Sequence, residues 1–346
     1  MKKRTIYLIL ALLVCISCTN QQEISLSDEK IQVTVSNALQ SDSRTTLFNN
    51  KADIEKAQDF ALSAYIGNAL YIDNAQVHYF NNEWRFQYGN DLLDYYWPND
   101  GNVLDFIAYV PYDLTKFAAT DISIKNDGRK MNLVCSLPAV IDVSDETKLQ
   151  AAESQCEFIY AYRKGQAKSD TPVDLCFVHP FACVQFKLKQ GHRDLKIHHI
   201  ILTGIKLSGT YANDTDTQTY DELQSGLTYA KWNTEAVDPH TLTIYIEKNV
   251  PNGVNYGGVI GVPFMVIPQA LTKLKLKVNY SWSDKDKQDT DEFSLSIGSI
   301  TSWEPGRIYT YTLDLGDNQA EILFNVSVEE WAKGETDNYE NGYEVK

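Results

Sequence analysis

The chain has 346 residues, 43% of them hydrophobic, and carries 31 basic against 46 acidic side chains for a net charge of −15. That acidity excludes a nucleic-acid binder, which needs a basic face for phosphate, and excludes a polybasic grip on anionic lipid. The length exceeds what one core comfortably serves, so two domains are expected, and 21 Tyr, 13 Phe and 6 Trp favour strands.

The first elements form a leader. Lys2, Lys3 and Arg4 precede an apolar run from Ile6 to Val14, followed by Cys15-Ile16-Ser17-Cys18. A basic head, a short apolar stretch and a small residue at the cut read as a secretory signal, too short to span a bilayer. A cysteine directly after the small residue is the arrangement of a bacterial lipoprotein signal. Cleavage after residue 17 would leave Cys18 as a lipidated N-terminus on a polar tether. Losing the leader removes three basic residues and no acidic ones, so the mature charge becomes −18.

Lys30-Ile31-Gln32-Val33-Thr34-Val35 alternates apolar and polar and predicts a short strand. A polar stretch from Ser36 to Asn50 follows, with Arg44 as the sole arginine between the leader and Arg85. Strands are predicted over 59–65, 76–80, 83–87, 103–110, 130–133 and 158–162, with Asn81-Asn82 as a tight-turn pair and a weak helix over 144–155. From Val173 onward the pattern is more regular. It predicts strands over 182–189, 198–208, 241–246, 258–267, 273–282, 293–297, 309–315 and 322–328, separated by Asn/Asp/Thr-rich loops at 211–222 and 283–291. Strict alternation in Leu274–Tyr280 marks strands with one buried face. The fold class is all-β.

Four thiols remain in the mature chain: Cys135, Cys156, Cys176 and Cys183. In an exported protein they either pair, in one of three ways, or serve as buried apolar residues. The acidic runs Asp284–Glu292 and Asn213–Asp216 offer oxygen ligands at alternate positions, but the first has Asp289 where the calcium loop of an EF-hand needs glycine, and both read as solvated turns. His198 and His199 are adjacent on a strand and should face opposite sides. His179 reads as a hydrogen-bonded core residue. No nucleophile elbow, zinc motif or phosphate loop is present in the sequence. The expectation is therefore a protein that is not an enzyme, with no metal and no cofactor.

Several motifs together resemble the fimbrillin-like proteins of Bacteroidetes. They are Tyr95-Tyr96-Trp97-Pro98 with Leu104–Pro111, then Phe177-Val178-His179-Pro180-Phe181-Ala182, then Val266-Ile267-Pro268-Gln269, then Trp303-Glu304-Pro305-Gly306 with Tyr309–Leu313, and finally Phe324–Trp331. The resemblance implies two tandem transthyretin-like β-sandwich domains and assembly with other subunits into fimbriae that serve adhesion. It implies a lipid-anchored precursor at the outer membrane and cell surface. An arginine-specific protease would then cut after Arg44 and remove the first strand with Ile31, Val33 and Val35. A strand from the next subunit would fill the groove; here that donor would be Ile322, Phe324, Val326 and Val328, or the segment just beyond. The implied organisation is a leader at 1–17, a lipidated tether with removable strand at 18–46, sandwiches at 47–172 and 173–331, and a polar tail at 332–346. A second reading takes Trp84, Tyr95, Tyr96, Trp97 and Trp232 as a sugar-stacking platform on a monomeric surface glycan-binding lipoprotein; against it, Tyr95–Pro98 also reads as a core motif.

Overall fold

The computed structural model describes residues 25–35, 54–55, 59–117, 119–127, 130–153, 157–189, 194–212, 232–251, 258–282, 288–314, 323–330, 336–340 and 343–344. The first half of the chain forms β1 (Leu26–Lys30), β2 (Val33–Val35), β3 (Asp59–Ile66), β4 (Ala69–Phe80), β5 (Glu83–Tyr88), β6 (Asp91–Leu92), β7 (Tyr96–Pro98), β8 (Leu104–Val110), β9 (Asp121–Asp127), β10 (Lys130–Ser136) and β11 (Val140–Asp142). A two-turn helix, α1 (Glu146–Glu153), precedes β12 (Ile159–Gln166), β13 (Val173–Leu175) and β14 (Phe177–Val178). The predicted Asn81-Asn82 turn is present, with both residues at positive φ (51° and 65°), as a hairpin of right-handed twist requires.

A seven-stranded sheet, ordered β14-β12-β8-β3-β4-β5-β6, organises this half. Its central strands are buried on both faces, which explains why every residue of Leu104–Val110 is buried and no alternation is visible there. Phe60, Leu62, Phe106 and Val110 face one core, shared with Ile31, Val33 and Val35. Ala61, Tyr109 and Tyr160 face a second core with Met131 and Leu133 of β10.

The second half supplies β15 (Ala182–Leu188), β16 (Leu195–Ile205), β17 (Ser208–Ala212), β18 (Trp232–Asn233), β19 (His240–Val250), β20 (Val259–Val266), β21 (Lys275–Trp282), β22 (Gln288–Ser294), β23 (Arg307–Asp314), β24 (Leu323–Glu330), β25 (Thr336–Glu340) and β26 (Tyr343–Glu344). A five-stranded sheet β11-β19-β16-β21-β22 and a six-stranded sheet β20-β15-β23-β24-β25-β26 meet in the second core, through Ile200, Ile244 and Val278 from one and Phe186, Tyr311 and Val326 from the other. β16 follows the one-face alternation expected of a sandwich strand, apart from its bulges.

Strands from the two halves also share sheets. β9 and β10 pair with β17 and β18, and β11 runs parallel to β19. β13 and β14 pair back onto β2 and β12. The buried hydroxyls of Tyr160 and Tyr211 meet at 2.7 Å, and Trp232 Nε1 donates to Pro180 O at 2.7 Å.

Three local expectations differ from the structure. The acidic stretch expected as a loop is a strand from Gln288 onward, because Lys277 pairs with Glu292 at 3.1 Å and Tyr280 OH donates to Asp291 Oδ2 at 3.0 Å. The tail, whose polar composition favours fraying, forms β25 and β26 on the outer side of β24. His198 and His199 straddle a β-bulge, which breaks the simple opposition of neighbouring side chains.

Candidate functional site

The feature that distinguishes this fold functionally is the seat of its first two strands. Ile31, Val33 and Val35 alternate with half-buried or exposed residues, so one edge-on face of a short extended segment enters the core; their exposures are 4%, 6% and 2%. The segment changes neighbours along its length. β1 runs antiparallel to β7, with Ile31 N donating to Tyr95 O at 2.8 Å and Asn99 N donating to Ser25 O at 2.7 Å. β2 runs parallel to β13, and Val173 N donates to Gln32 O at 2.8 Å.

Ion pairs flank the strand: Lys30 with Asp94 at 2.7 Å and Glu29 with Lys168 at 3.0 Å. The Asp94 carboxylate holds Lys30 above the usual lysine range through its hydrogen bond and charge. All four side chains are more than one third exposed, and solvated pairs of this kind add little stability. Apolar burial does the holding, at about 1.5–3 kcal/mol for each of Ile31, Val33 and Val35.

A cleft of about 390 Å³ runs between this segment and β5, lined by Thr34, Tyr79, Asn82, Trp84, Arg85 and Leu93 among others. Trp84 and Trp97 belong to the core beneath the segment, at 7% and 1% exposed. Trp84 packs on Phe60 and Tyr79 with ring centroids 4.8 Å apart in each case, and Trp97 meets Phe106 edge-on at 6.0 Å. Tyr95 and Tyr96 are half-buried, and Trp232 packs against Phe181 at 4.9 Å. The aromatics proposed as a sugar platform are therefore packed into the body and do not form one exposed surface.

The remaining sequence candidates fall as follows. Cys18, Arg44, Cys156 and Ile322 lie outside the described residues, as do Asn213–Asp216 and 283–287. Phe324 lies in β24, and Val326 and Val328 are buried in the second core at 1% and 9% exposed. β24 is paired on both edges, with β23 and β25. Cys135 and Cys183 are free and buried, and Cys176 is buried at 1% exposed. Burial pushes the Cys135 thiol up to about 12 and raises Cys183 well above its ordinary value. Among the described residues, no group of three or more His, Cys, Asp or Glu side chains is placed to hold a metal ion.

Two polar groups outside the seat have defined geometry. His179 Nε2 lies 3.4 Å from Glu157 Oε1, both nearly inaccessible, so this is an interior pair. His198 Nε2 meets Ser281 Oγ at 3.0 Å and its Nδ1 lies 3.3 Å from Glu247, which also binds Lys196 at 2.6 Å. That order of groups resembles a nucleophile, a base and its orienting carboxylate. It sits across three strands of a hydrogen-bonded sheet, where strand amides are engaged in ladders and are not gathered toward a reacting oxygen. Its evident work is to pin the β16 bulge and the left-handed Glu247 backbone (φ 51°).

Sequence reasoning found the buried face of β2 but missed β1, β7 and β13, the elements that hold it. β1 and β13 are too short or too polar to show periodicity. Tyr95-Tyr96-Trp97-Pro98 was visible as a motif, though its pairing with residues 26–30 was not.

These features define an all-β protein of packed sheets, with short N-terminal strands completing a core built by later ones. The chain belongs to the fimbrillin-like family, whose profile matches residues 21–331. No curated protein matches it. Among solved structures, the chain is similar to a candidate cell adhesion protein from Bacteroides uniformis, with 14% identity, a TM-score of 0.50, and coverage of 88% of this chain and 99% of that one. It is also similar to a candidate cell adhesion protein from Bacteroides ovatus, with 13% identity, a TM-score of 0.51, and coverage of 89% and 98%. At such identities the likeness is one of fold. No described helix is long and apolar enough to cross a membrane.

Proposed function

We propose that the chain is a cell-surface fimbrial subunit serving adhesion. In this reading it is exported as a lipoprotein on Cys18, trimmed after Arg44 and assembled by strand addition into two-sandwich subunits divided near residue 173. The observation that carries the reading is the seat. Ile31, Val33 and Val35 complete a core otherwise built mainly from β3–β5, β7, β8 and β12–β14, yet Val33 and Val35 belong to a strand of three residues and Ile31 to the link between it and the five-residue β1. Without them the core is open along one face and the edges of β7 and β13 lose their partners. Exposed apolar side chains and unpaired backbone are costly until another extended segment restores them. A donor supplied head-to-tail by the next copy does not close on itself, so it yields a filament.

The C-terminal segment is the donor in this reading. Val326 and Val328 are already used by their own core, whereas β25 and β26 lie beyond β24 at the edge of their sheet. Residues just past Ile322–Val328 are therefore the part that can leave at least cost. The test is treatment of the chain lacking residues 1–18 with an arginine-specific protease, followed by N-terminal sequencing and sizing. A cut after Arg44 followed by a ladder of oligomers is expected. A resistant Arg44, or a cut product that stays monomeric, would overturn the strand-addition reading.

A further inference from the structure

The outer face of the five-stranded sheet β11-β19-β16-β21-β22 takes no part in the proposed assembly. Its inner side chains, among them Ile200, Ile244 and Val278, enter the second core, so the residues between them point outward. Strand register sets these outward residues in rows across the sheet. One row is Asp142, Tyr245, His199, Asn279 and Thr290; the next is Val140, Thr243, Ile201, Lys277 and Glu292. Tyr245 is 42% exposed, and its ring centroid lies 5.9 Å from that of His199.

Three properties of these rows define what they can hold. Their charges cancel: Asp142 pairs with Lys148 at 2.8 Å and Lys277 with Glu292 at 3.1 Å, so two rows of a chain of net charge −15 present no unpaired carboxylate or ammonium. Burial, and after it the neighbouring His198, hold His199 below the usual histidine range, so it too is neutral at pH 7. Their side-chain hydrogen-bonding groups are open. Thr290 Oγ1 donates to Asn279 Oδ1 at 2.7 Å, which orients the amide and leaves its Nδ2 donors outward; the Tyr245 hydroxyl, the His199 ring nitrogens and the Thr243 hydroxyl have no partner among the described residues. Their backbone is closed, because the amides of β16, β19 and β21 are engaged in ladders, so an extended peptide has nothing to pair with.

An exposed ring rimmed by uncharged donors and acceptors matches a ligand with apolar ring faces and a rim of hydroxyls. A polyanion would need unpaired cations, and a lipid surface would need a larger apolar area. We infer that this face binds a neutral glycan, with a sugar ring stacked on Tyr245 and its hydroxyls met by His199, Asn279 and Thr243. Tyr245 and Thr290 are three strand spacings apart, about 14 Å, so the row takes a short oligosaccharide rather than a single sugar. The inference rests on the adhesive part of the proposed function, to which it gives a ligand class, and is independent of strand addition.

The test is native affinity electrophoresis of the chain lacking residues 1–18 in gels carrying mannan, galactan, laminarin or dextran, with heparin as the anionic control. Slower migration in at least one neutral gel is expected. Tyr245→Ala should weaken that retardation about fivefold to tenfold, the loss of one ring contact, whereas Tyr245→Phe keeps the ring and should retain most of it. Asn279→Ala should weaken it as well, and the thermal midpoints of all three variants should match the parent. Should Tyr245→Ala lower the midpoint, Asn279→Ala and Tyr245→Phe carry the comparison. No retardation in any neutral gel, retardation by heparin alone, or retardation that neither alanine variant weakens overturns the inference. Variants that change oligomer size and leave retardation intact would assign the face to a second copy of the chain and overturn it too. The fimbrial reading is decided separately, by cleavage after Arg44 and the oligomer ladder, and none of these outcomes touches it.

Discussion

Gln269 accepts the Lys206 amide on Oε1 at 2.7 Å and returns Nε2 to the carbonyls of Lys206 and Ile267, while its own carbonyl accepts from Trp303 N. Trp303 reaches Tyr311, Glu304 N donates to Tyr309 OH at 2.8 Å, and Gly306 N donates to Phe181 O at 2.9 Å. Three of the motifs that carry the family resemblance thus meet as joints between strands. This is why they are short and scattered: each fixes one crossing of the chain. The cysteines are a second residue-scale feature. Cys135 and Cys183 sit in the interior, where burial raises their thiols, so the thiolate form needed for reaction is scarce. Ellman's reagent should leave Cys135 and Cys183 unmodified in the native protein at pH 8 and modify them in denaturant; rapid native reaction, mapped by mass spectrometry, would contradict the burial.

At the scale of elements, the first strands combine weak polar attachment with strong apolar attachment. Replacing Ile31 with alanine removes buried methylenes from a core that later strands cannot close, at a cost of about 2–5 kcal/mol. Replacing Lys30 with alanine should change stability far less, since its partner Asp94 is solvated. Denaturant midpoints of the two variants check the contrast, and equal losses would refute it. The legibility of elements followed their surroundings. β16 and β21 have one buried face, so their period of two was visible in the sequence. β8 was visible as a continuous apolar run. β9, β22 and β25 are rich in Asp, Asn and Thr and were not recognised, because their pairing depends on neighbours distant in the chain.

The whole molecule is joined by those distant pairings. The β9–β10 hairpin needs β17 for its second edge, and the Tyr160–Tyr211 hydrogen bond crosses from one half to the other. A fragment of residues 25–180 should therefore bind a hydrophobic dye and unfold without a cooperative transition, since Met131, Leu133 and Tyr160 lose their cover. Cooperative unfolding of that fragment, measured by circular dichroism, would show that the shared sheet is dispensable. The sequence by itself determined the all-β class, the family and the buried face of Ile31–Val35, because alternation, turn residues and joint motifs are local properties of the chain. Tertiary structure alone decided which strands receive that face and that the sugar platform expected from the sequence is packed inward. Those facts depend on which residues meet across long separations, and no local pattern encodes a partner's position.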